Sequence, residues 1–258
     1  MTRIAVVGAA GRMGREVCRA ALETEGFDLA GGVVEPGASD LGADLGELCG
    51  WGRTGILATE APPEDAEALI EFTTPEATVE HLSYGRPSVI GTTGLSNERL
   101  AHVERAANVS PIVLAPNMSV GVNLLHEVVR ELSEKLGPLY DIEIVESHHR
   151  NKVDAPSGTA LFLARAAAEG RGQDLGEVAV HGREGHAPRK ESEIGIHALR
   201  GGAVVGEHRV IFYGAGEEVE VAHRALSRRT FADGALRAAR FVAGAAPGLY
   251  SMNDVLDD

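Results

Sequence analysis

The chain has 258 residues, 44% of them hydrophobic, and carries a formal net charge of −14 at pH 7. This composition is typical of a globular protein with one large or two modest domains, and the charge argues against nucleic acid or an anionic membrane as a partner. No apolar run approaches the ~20 residues that span a bilayer, the first residues lack the features of a secretory signal, and two cysteines do not make a disulfide framework, so we expect a cytoplasmic protein.

The start of the chain predicts a strand, a glycine-rich turn and a helix. Residues 4–7 are a short β-branched run, the turn reads GAAGRMG over residues 8–14, and an amphipathic pattern follows. Ala10 replaces the second glycine of the strict G-x-G-x-x-G pattern, but alanine still lets the backbone approach a pyrophosphate closely. A second predicted strand, residues 29–34, leads into Glu35, where this motif places a carboxylate for the adenosine ribose. The pattern predicts dinucleotide binding, with a merely tight turn as the alternative.

Strands and helices keep alternating to the end of the first predicted domain. A Gly- and Asp-rich loop contains a short helix at residues 41–48, and the later strands end in small or hydroxyl residues before a helix. This pattern fits a parallel sheet that binds its ligand along the carboxyl edge. Ser119 can cap a long helix that leads out of the domain. The predicted strands are residues 69–72, 87–90 and 111–114, and the predicted helices are residues 76–84, 96–107 and 120–136.

Titratable residues are concentrated in the stretch EIVESHHRNKVDAPSGTA, residues 143–160. Period-two alternation predicts a strand at residues 140–146, and an Ala/Leu-rich pattern predicts a helix at residues 159–169. Ser157 is a good N-cap, so the N–H groups that follow it should point outward at the helix start and bind an anion. Only three of the 24 basic residues are lysines. The lysine in this stretch therefore indicates a need for a compact, deprotonatable amine, with chance placement as the alternative.

The rest of the chain predicts a second, smaller domain. Long strands joined by Gly-rich turns favour a mostly antiparallel sheet with a helix on one face. We therefore predict an α/β protein with a Rossmann-like parallel-sheet domain and an α+β domain. The further strands are residues 178–181, 194–199, 204–212 and 217–224, and the closing helix is residues 231–243. The predicted division is a dinucleotide-binding domain at residues 1–118, a substrate-binding and oligomerisation domain at residues 119–228, and a helix and tail at residues 229–258 that return to the first domain.

Residues 143–160 resemble the signature of the 4-hydroxy-tetrahydrodipicolinate reductase family, also called dihydrodipicolinate reductases. The family pattern is E-(I/V)-x-E-x-H-x-x-x-K-x-D-x-P-S-G-T-A, and every specified position is present here. The resemblance implies an enzyme of lysine and diaminopimelate biosynthesis that reduces hydroxy-tetrahydrodipicolinate to tetrahydrodipicolinate with NADH or NADPH. Further blocks of likeness are GAAGRMGRE at Gly8, EFTTPE at Glu71, VIGTTG at Val89, APNMSVGVN at Ala115, REGH at Arg183, VVGEH at Val204 and SRRTFADGALRAA at Ser227.

The resemblance also implies roles for individual residues. His148 is the implied general acid, and Lys152 is its cationic partner and a second candidate donor. The implied ligands are a small anionic dicarboxylate and a nicotinamide dinucleotide, and the implied assembly is a homotetramer. The implied substrate-binding residues are His149, Lys152, Ser157, Gly158 and Thr159. The implied cofactor-binding residues are Gly8, Ala9, Ala10, Gly11, Arg12, Met13, Glu35, Phe72, Gly91, Thr92, Thr93, Ala115, Pro116, Asn117 and Met118.

The sequence departs from the family at two positions that bear on the cofactor. Family members that use NADPH readily carry a basic residue after the ribose carboxylate and another after the F-T pair. Pro36 and Thr74 occupy these positions here. A 2′-phosphate would meet Glu35 without an adjacent arginine, although Arg12 could partly compensate. We therefore predict that NADH is preferred, or used at least equally well.

Several alternatives stay open from the sequence alone. The paired histidines could lie in a solvated loop or bind a metal, but neighbouring ligands point apart and no Cys or Asp/Glu spacing completes a tetrahedral site. Arg183 and His186 could reach the site or only decorate a turn. The chain could be another two-domain dehydrogenase of the aspartate or homoserine type, which would lack the SGTA block. It could also be a non-catalytic dinucleotide sensor, which would tolerate loss of His148 or Lys152.

Overall fold

The computed structural model describes all residues from Met1 to Asp258. They form two compact units, the first made of Met1–Val120 and Arg228–Asp258 and the second of Gly121–Ser227. None of the helices combines the length and the apolar character that crossing a bilayer requires.

Twelve strands and nine α-helices make up the chain. The strands are β1 (Thr2–Val7), β2 (Phe27–Val33), β3 (Ala58–Thr59), β4 (Ala68–Glu71), β5 (Ser88–Ile90), β6 (Pro111–Leu114), β7 (Asp141–His148), β8 (Ala179–His181), β9 (Ile194–Arg200), β10 (Gly206–Tyr213), β11 (Glu218–Ala225) and β12 (Gly248–Tyr250). The helices are α1 (Arg12–Glu23), α2 (Leu45–Leu48), α3 (Pro75–His81), α4 (Asn97–Ala107), α5 (Val120–Leu136), α6 (Gly158–Gly170), α7 (Leu175–Val178), α8 (Arg229–Gly244) and α9 (Met252–Asp257).

The first unit is built on a seven-stranded parallel sheet with the order β12-β6-β5-β4-β1-β2-β3. Its central strands are apolar and buried, as expected for a parallel sheet covered on both faces. The chain order reverses at β1, because β2 lies on one side of it and β4 on the other. Ligands of such sheets bind at this reversal, outside the carboxyl ends of the strands.

The second unit contains a five-stranded sheet with the order β11-β10-β7-β9-β8. The pairs β11–β10 and β10–β7 are antiparallel and make up the larger part of the sheet, whereas β7–β9 and β9–β8 are parallel. Helices α5 and α6 contribute to the core of this unit together with the strands. They pack closely, since Ser133 Oγ donates to the Ala167 oxygen at 2.6 Å and a Cβ on Gly170 would lie 2.3 Å from the Arg130 oxygen. The predicted α/β class is confirmed.

Local capping explains where several elements differ from their predicted bounds. Helix α2 begins only at Leu45, and not at residue 41, because the Asp44 side chain caps it by accepting from the N–H groups of Gly46 and Glu47. Strand β8 begins at Ala179, one residue later than predicted, because the short helix α7, capped by Asp174, precedes it. The tail contributes the unpredicted strand β12, which pairs with β6.

Candidate active site

The turn between β1 and α1 brings the start of a helix against the carboxyl end of the first sheet. Gly8 has a φ of +81°, and a Cβ on Gly14 would lie 2.1 Å from the Gly8 oxygen, so α1 can approach β1 this closely only with glycine at both positions. Gly11 precedes α1, and no side chain caps the first turn of this helix. The uncapped N–H groups of this first turn fit the pyrophosphate of a dinucleotide.

Glu35, which is predicted to contact the adenosine ribose, follows the end of β2. Glu35 and Pro36 are exposed, and so is Arg12 at the start of α1. The Thr74 hydroxyl caps α3 by accepting from the Ala77 N–H at 3.3 Å. The structure therefore has an exposed carboxylate at Glu35 and no basic side chain at the two positions where family members that use NADPH readily carry one.

A hydroxyl network joins the ends of β4 and β5. The Thr73 N–H donates to Thr92 Oγ1 at 3.1 Å, and the Thr78 hydroxyl donates to the same oxygen at 2.9 Å. Thr73 also donates its hydroxyl to the buried Glu71 carboxylate at 2.6 Å. A Cβ on Gly91 would lie 2.2 Å from the Phe72 ring, so the ring packs directly on this glycine. The structure thus brings four predicted residues together: Phe72, Gly91, Thr92 and Thr93 lie at adjacent strand ends.

Three predicted cofactor residues have side chains in the core of the first unit: Ala9, Ala115 and Met118. Only their backbone could contact a ligand. Pro116 is exposed and Asn117 is half-buried, and the Asn117 side chain accepts from the Ser119 N–H at 2.8 Å. This contact shapes the chain just before α5.

In the second unit, β7 ends at His148 and leads through a loop into α6. Glu146 and His148 lie on the buried side of β7 with Ile142 and Ile144, because alternate residues of a strand share a face. The Glu146 carboxylate is fully buried. It accepts from His148 Nδ1 at 2.6 Å, from the Ser157 N–H at 2.9 Å and from both terminal nitrogens of Arg200 at 2.8 Å.

Burial and charge act in opposite directions on these groups. Burial acts to raise the pKa of Glu146, but hydrogen bonds from Arg200, His148 and the Ser157 N–H bring it below its ordinary value. Burial lowers the pKa of His148, and Glu146 opposes this effect. The ring of His208 meets that of His148 edge-on at 5.1 Å, and burial lowers the pKa of His208 to about 3. The site therefore contains an ionised carboxylate and a neutral His208.

The loop after β7 holds the other predicted substrate residues. Lys152 Nζ lies 2.8 Å from Asp154 Oδ1 and is half-buried, and His149 has a buried Nδ1 without a hydrogen-bond partner. Ser157 is 1% exposed, and its Oγ accepts from the Ala160 N–H at 3.1 Å and lies 3.2 Å from His208 Nε2. Two predicted residues lie beside it at the start of α6: Gly158 is exposed and Thr159 is half-buried.

Two residues that the sequence left undecided, Arg183 and His186, have no recorded contact with this cluster. Arg183 pairs with Glu193 at 2.7 Å and lies 3.6 Å from Glu143, on the opposite face of β7 from Glu146. His186 is exposed in the loop before β9. No group of three or more His, Cys, Asp or Glu side chains in the structure has the arrangement of a metal site.

Sequence reasoning missed Glu146, Arg200 and His208 as members of the site. One signal was present, because continuing the alternation of β7 places Glu146 on the face of Ile142 and Ile144. A carboxylate on an apolar face needs a buried partner. Arg200 and His208 come from strands distant in sequence, and no local pattern indicates that they meet Glu146.

Comparisons with known proteins agree with one another over almost the whole chain. Residues 2–118 match the family model described as "Dihydrodipicolinate reductase, N-terminus" and residues 121–256 match "Dihydrodipicolinate reductase, C-terminus". The chain is 76% identical over 256 residues to a 4-hydroxy-tetrahydrodipicolinate reductase of Rubrobacter xylanophilus, covering 99% of this chain and 98% of that protein. It is 50% identical over 263 residues to the reductase of the same name from Alkalilimnicola ehrlichii, covering 99% and 98%.

A solved structure has the same fold. It is the dipicolinate-bound dihydrodipicolinate reductase from Paenisporosarcina sp. TG-14, with a TM-score of 0.75 and 26% identity, covering 98% of this chain and 99% of that one. The resemblance read from residues 143–160 is confirmed.

Proposed function

The chain belongs to the dihydrodipicolinate reductase family, and on that basis we propose that it reduces 4-hydroxy-tetrahydrodipicolinate to tetrahydrodipicolinate for lysine and diaminopimelate biosynthesis. The observation that carries this proposal is the 76% identity to a named reductase over 99% of the chain. The intact residues His148, Lys152 and Gly158 in the signature stretch support it, because a non-catalytic relative would have no need of them together.

The reductant is a nicotinamide dinucleotide, which supplies a hydride when bound. The residues of the first unit fit it, since the turn at Gly8 and the uncapped start of α1 form a place for a pyrophosphate. We further propose NADH as the preferred form, because Glu35 is exposed beside Pro36 and not beside an arginine.

The second unit supplies the groups that a dicarboxylate and its reduction require. Hydride addition leaves a carbanion-like enamine that must collect a proton, and we assign this step to His148, with Lys152 as the alternative donor. One carboxylate binds at the start of α6, where the N–H groups of Gly158 and Thr159 and the helix dipole favour an anion. The resemblance assigns to His149 and Lys152 the complementary positive charge that an anionic substrate needs locally in a protein of net charge −14. These roles extend to this chain what the family resemblance implies.

We also propose that the chain assembles as a homo-oligomer, a homotetramer being the state that the resemblance implies. Sedimentation equilibrium tests this proposal, and a monomer at working concentrations would contradict it.

The activity is tested by supplying freshly made hydroxy-tetrahydrodipicolinate and following the loss of NADH absorbance. We expect turnover with this substrate and none with aspartate- or homoserine-type substrates. The variant His148→Gln should bind NADH with unchanged affinity and lose most turnover, whereas His186→Gln, which changes an exposed histidine of the same unit, should behave as the wild type. Binding of NADH without turnover in the wild type would favour a dinucleotide sensor and contradict the proposal.

A further inference from the structure

The four hydrogen bonds that Glu146 accepts are distributed evenly over its carboxylate. Oε1 accepts from the Ser157 N–H and from Arg200 Nη2, and Oε2 accepts from His148 Nδ1 and from Arg200 Nη1. The Arg200 contact is bidentate, and two parallel charge-assisted bonds of this kind fix orientation as well as charge. Every lone-pair direction of this fully buried carboxylate is therefore used.

This arrangement determines which nitrogen of His148 carries a hydrogen. An ionised carboxylate has no hydrogen to donate, so the contact of 2.6 Å requires that Nδ1–H of His148 donates to Glu146. In the neutral ring, Nε2 is then left without a hydrogen. In the charged ring, Nε2 can lose its hydrogen while Nδ1–H keeps its contact with Glu146.

The other charged and titratable groups around His148 do not favour its charged ring. Lys152, from the loop, and Arg200, from β9, both disfavour the charged ring of His148, and the Lys152 charge is paired with Asp154. His208, from β10, stays neutral, because burial and the charge of His148 lower its pKa, with a smaller contribution from His223 of β11. Glu146 is therefore the group in contact with His148 that favours its charged form.

We propose that Glu146 is a positioning residue of the protonation step, which, together with Arg200 and the Ser157 N–H, fixes His148 in the form that delivers its proton from Nε2. The inference rests on the proposed function. In that step a hydride adds to one ring carbon of the substrate, and the displaced electron pair forms a C–H bond with the proton from Nε2. The electrons of the broken N–H bond stay on Nε2. His148 becomes neutral with Nδ1–H still donated to Glu146, and it regains a proton from solvent.

Arg200 connects this arrangement to the rest of the site. Arg200 donates to both carboxylate oxygens of Glu146, and its Nη2 also donates to the backbone oxygen of Asp154 at 2.5 Å. One guanidinium therefore joins β7, β9 and the loop that carries Lys152. The Ser157 N–H adds the start of α6. Glu146 thereby fixes His148 and the start of α6 directly, and the loop that carries Lys152 through Arg200.

The first test uses Glu146→Gln in the full-length protein, with ¹⁵N-histidine NMR of the ligand-free state. In the wild type we expect the neutral His148 ring to carry its hydrogen on Nδ1. In the variant the amide can donate as well as accept, so the two ring forms should mix, and the His148 titration should move to lower pH by about one unit because an opposite charge has been removed. The falling limb of kcat against pH should move in the same direction, with the NADH affinity unchanged.

Arg200→Gln gives a prediction of opposite sign. Removing this positive charge should move the His148 titration and the kcat limb to higher pH, since Arg200 disfavours the charged ring. The matched control for Glu146→Gln is Glu220→Gln, which removes a carboxylate that accepts from Arg209 on the same sheet. Neither the His148 titration nor the kcat limb should move in this control. If Glu146→Gln fails to fold, the Arg200 variant decides alone.

Two results would overturn the inference: a wild-type His148 ring with its neutral-form hydrogen on Nε2, or variants that lower kcat while both titration curves stay in place. The second result would mean that Glu146 serves only the stability of the fold. A wild type that turns over no substrate would contradict the proposed function, and the NMR measurements would still decide whether Glu146 fixes the His148 ring.

Discussion

A Cβ atom on Gly8 would lie 2.5 Å from the backbone oxygen of Phe72, so the end of β1 passes β4 at a distance that only glycine allows. The two residues follow the strands between which the sheet order reverses. The φ of +81° at Gly8 is a second reason for glycine at this position. The turn that we propose to bind the dinucleotide and the close strand packing thus depend on the same missing side chain.

Gly8→Ala should therefore lower both stability and NADH affinity. The methyl group must displace the Phe72 backbone or the turn, which should reduce the free energy of unfolding by about 2–4 kcal/mol and weaken NADH binding by at least about tenfold. Gly42→Ala is the control, because Gly42 has a similar φ of +78° with nothing within 4 Å of its Cβ position. Thermal unfolding and fluorescence titration with NADH measure the two effects. Equal losses in both variants would show that backbone strain alone, and not the contact with Phe72, is responsible.

The first unit illustrates which parts of a fold a sequence reveals. The glycine turn, helix α4 and strand β6 depend on residues close in sequence, and their patterns predicted them to within one residue. Strand β12 has three residues and follows Pro247, so it has no period of its own and exists because β6 offers an open edge. Such a strand depends on a partner far away in the chain, which no local pattern contains.

Lys152→Ala should reduce kcat by about 100-fold or more if the ammonium supports proton donation, and it should also weaken binding of dipicolinate, because a positive charge is lost. Lys152→Arg keeps the charge but not the compact amine, so it should restore dipicolinate binding more than kcat. The exposed Lys135, changed to Ala, serves as the control. Steady-state kinetics and calorimetric titration give both quantities, and an unchanged kcat in Lys152→Ala would remove the lysine from the mechanism.

Pro36→Arg should move the cofactor preference toward NADPH. An arginine beside Glu35 would supply the charge that a 2′-phosphate needs, and the ratio of kcat/KM for NADPH to that for NADH should rise by about tenfold. Pro188→Arg adds the same charge at an exposed position of the second unit and should leave the ratio unchanged. The ratio is measured at matched salt, and a wild-type enzyme with a much higher kcat/KM for NADPH would contradict the predicted preference for NADH.

His208 should make stability depend on pH. Its pKa is about 3 in the fold and 6.5 in a model peptide, so between these values the unfolded chain binds a proton that the folded chain does not. The contribution of His208 to the free energy of unfolding therefore falls as pH falls, by about 1.4 kcal/mol per pH unit at most.

His208→Gln removes this dependence while keeping a partner for the Ser157 hydroxyl. We expect the variant to unfold at a lower temperature than the wild type near pH 7 and to approach the wild type as the pH is lowered toward 5. His186→Gln, at an exposed position, should differ from the wild type by the same amount at both pH values. Thermal unfolding scans measure this, and a constant gap between His208→Gln and the wild type would show that burial of His208 does not affect its protonation.

The candidate site was predictable to the extent that it lies in one stretch of chain. The order of His148, Lys152 and Ser157 in residues 143–160 was sufficient to predict a polar loop followed by the start of a helix. The partners that set the state of His148 come from β9 and β10, which only the folded sheet brings beside β7. Parallel pairing of β7 with β9 in particular required knowledge of the crossover through α6 and α7.

The division of the chain into units has a consequence for biosynthesis. The second unit is one continuous segment, Gly121–Ser227, whereas the first needs α8 and β12 from the far end of the chain to complete its core and sheet edge. A ribosome therefore releases all of the second unit before the first can close. Domains fold as units while they emerge, so the second unit should be native while the sheet of the first unit still lacks β12.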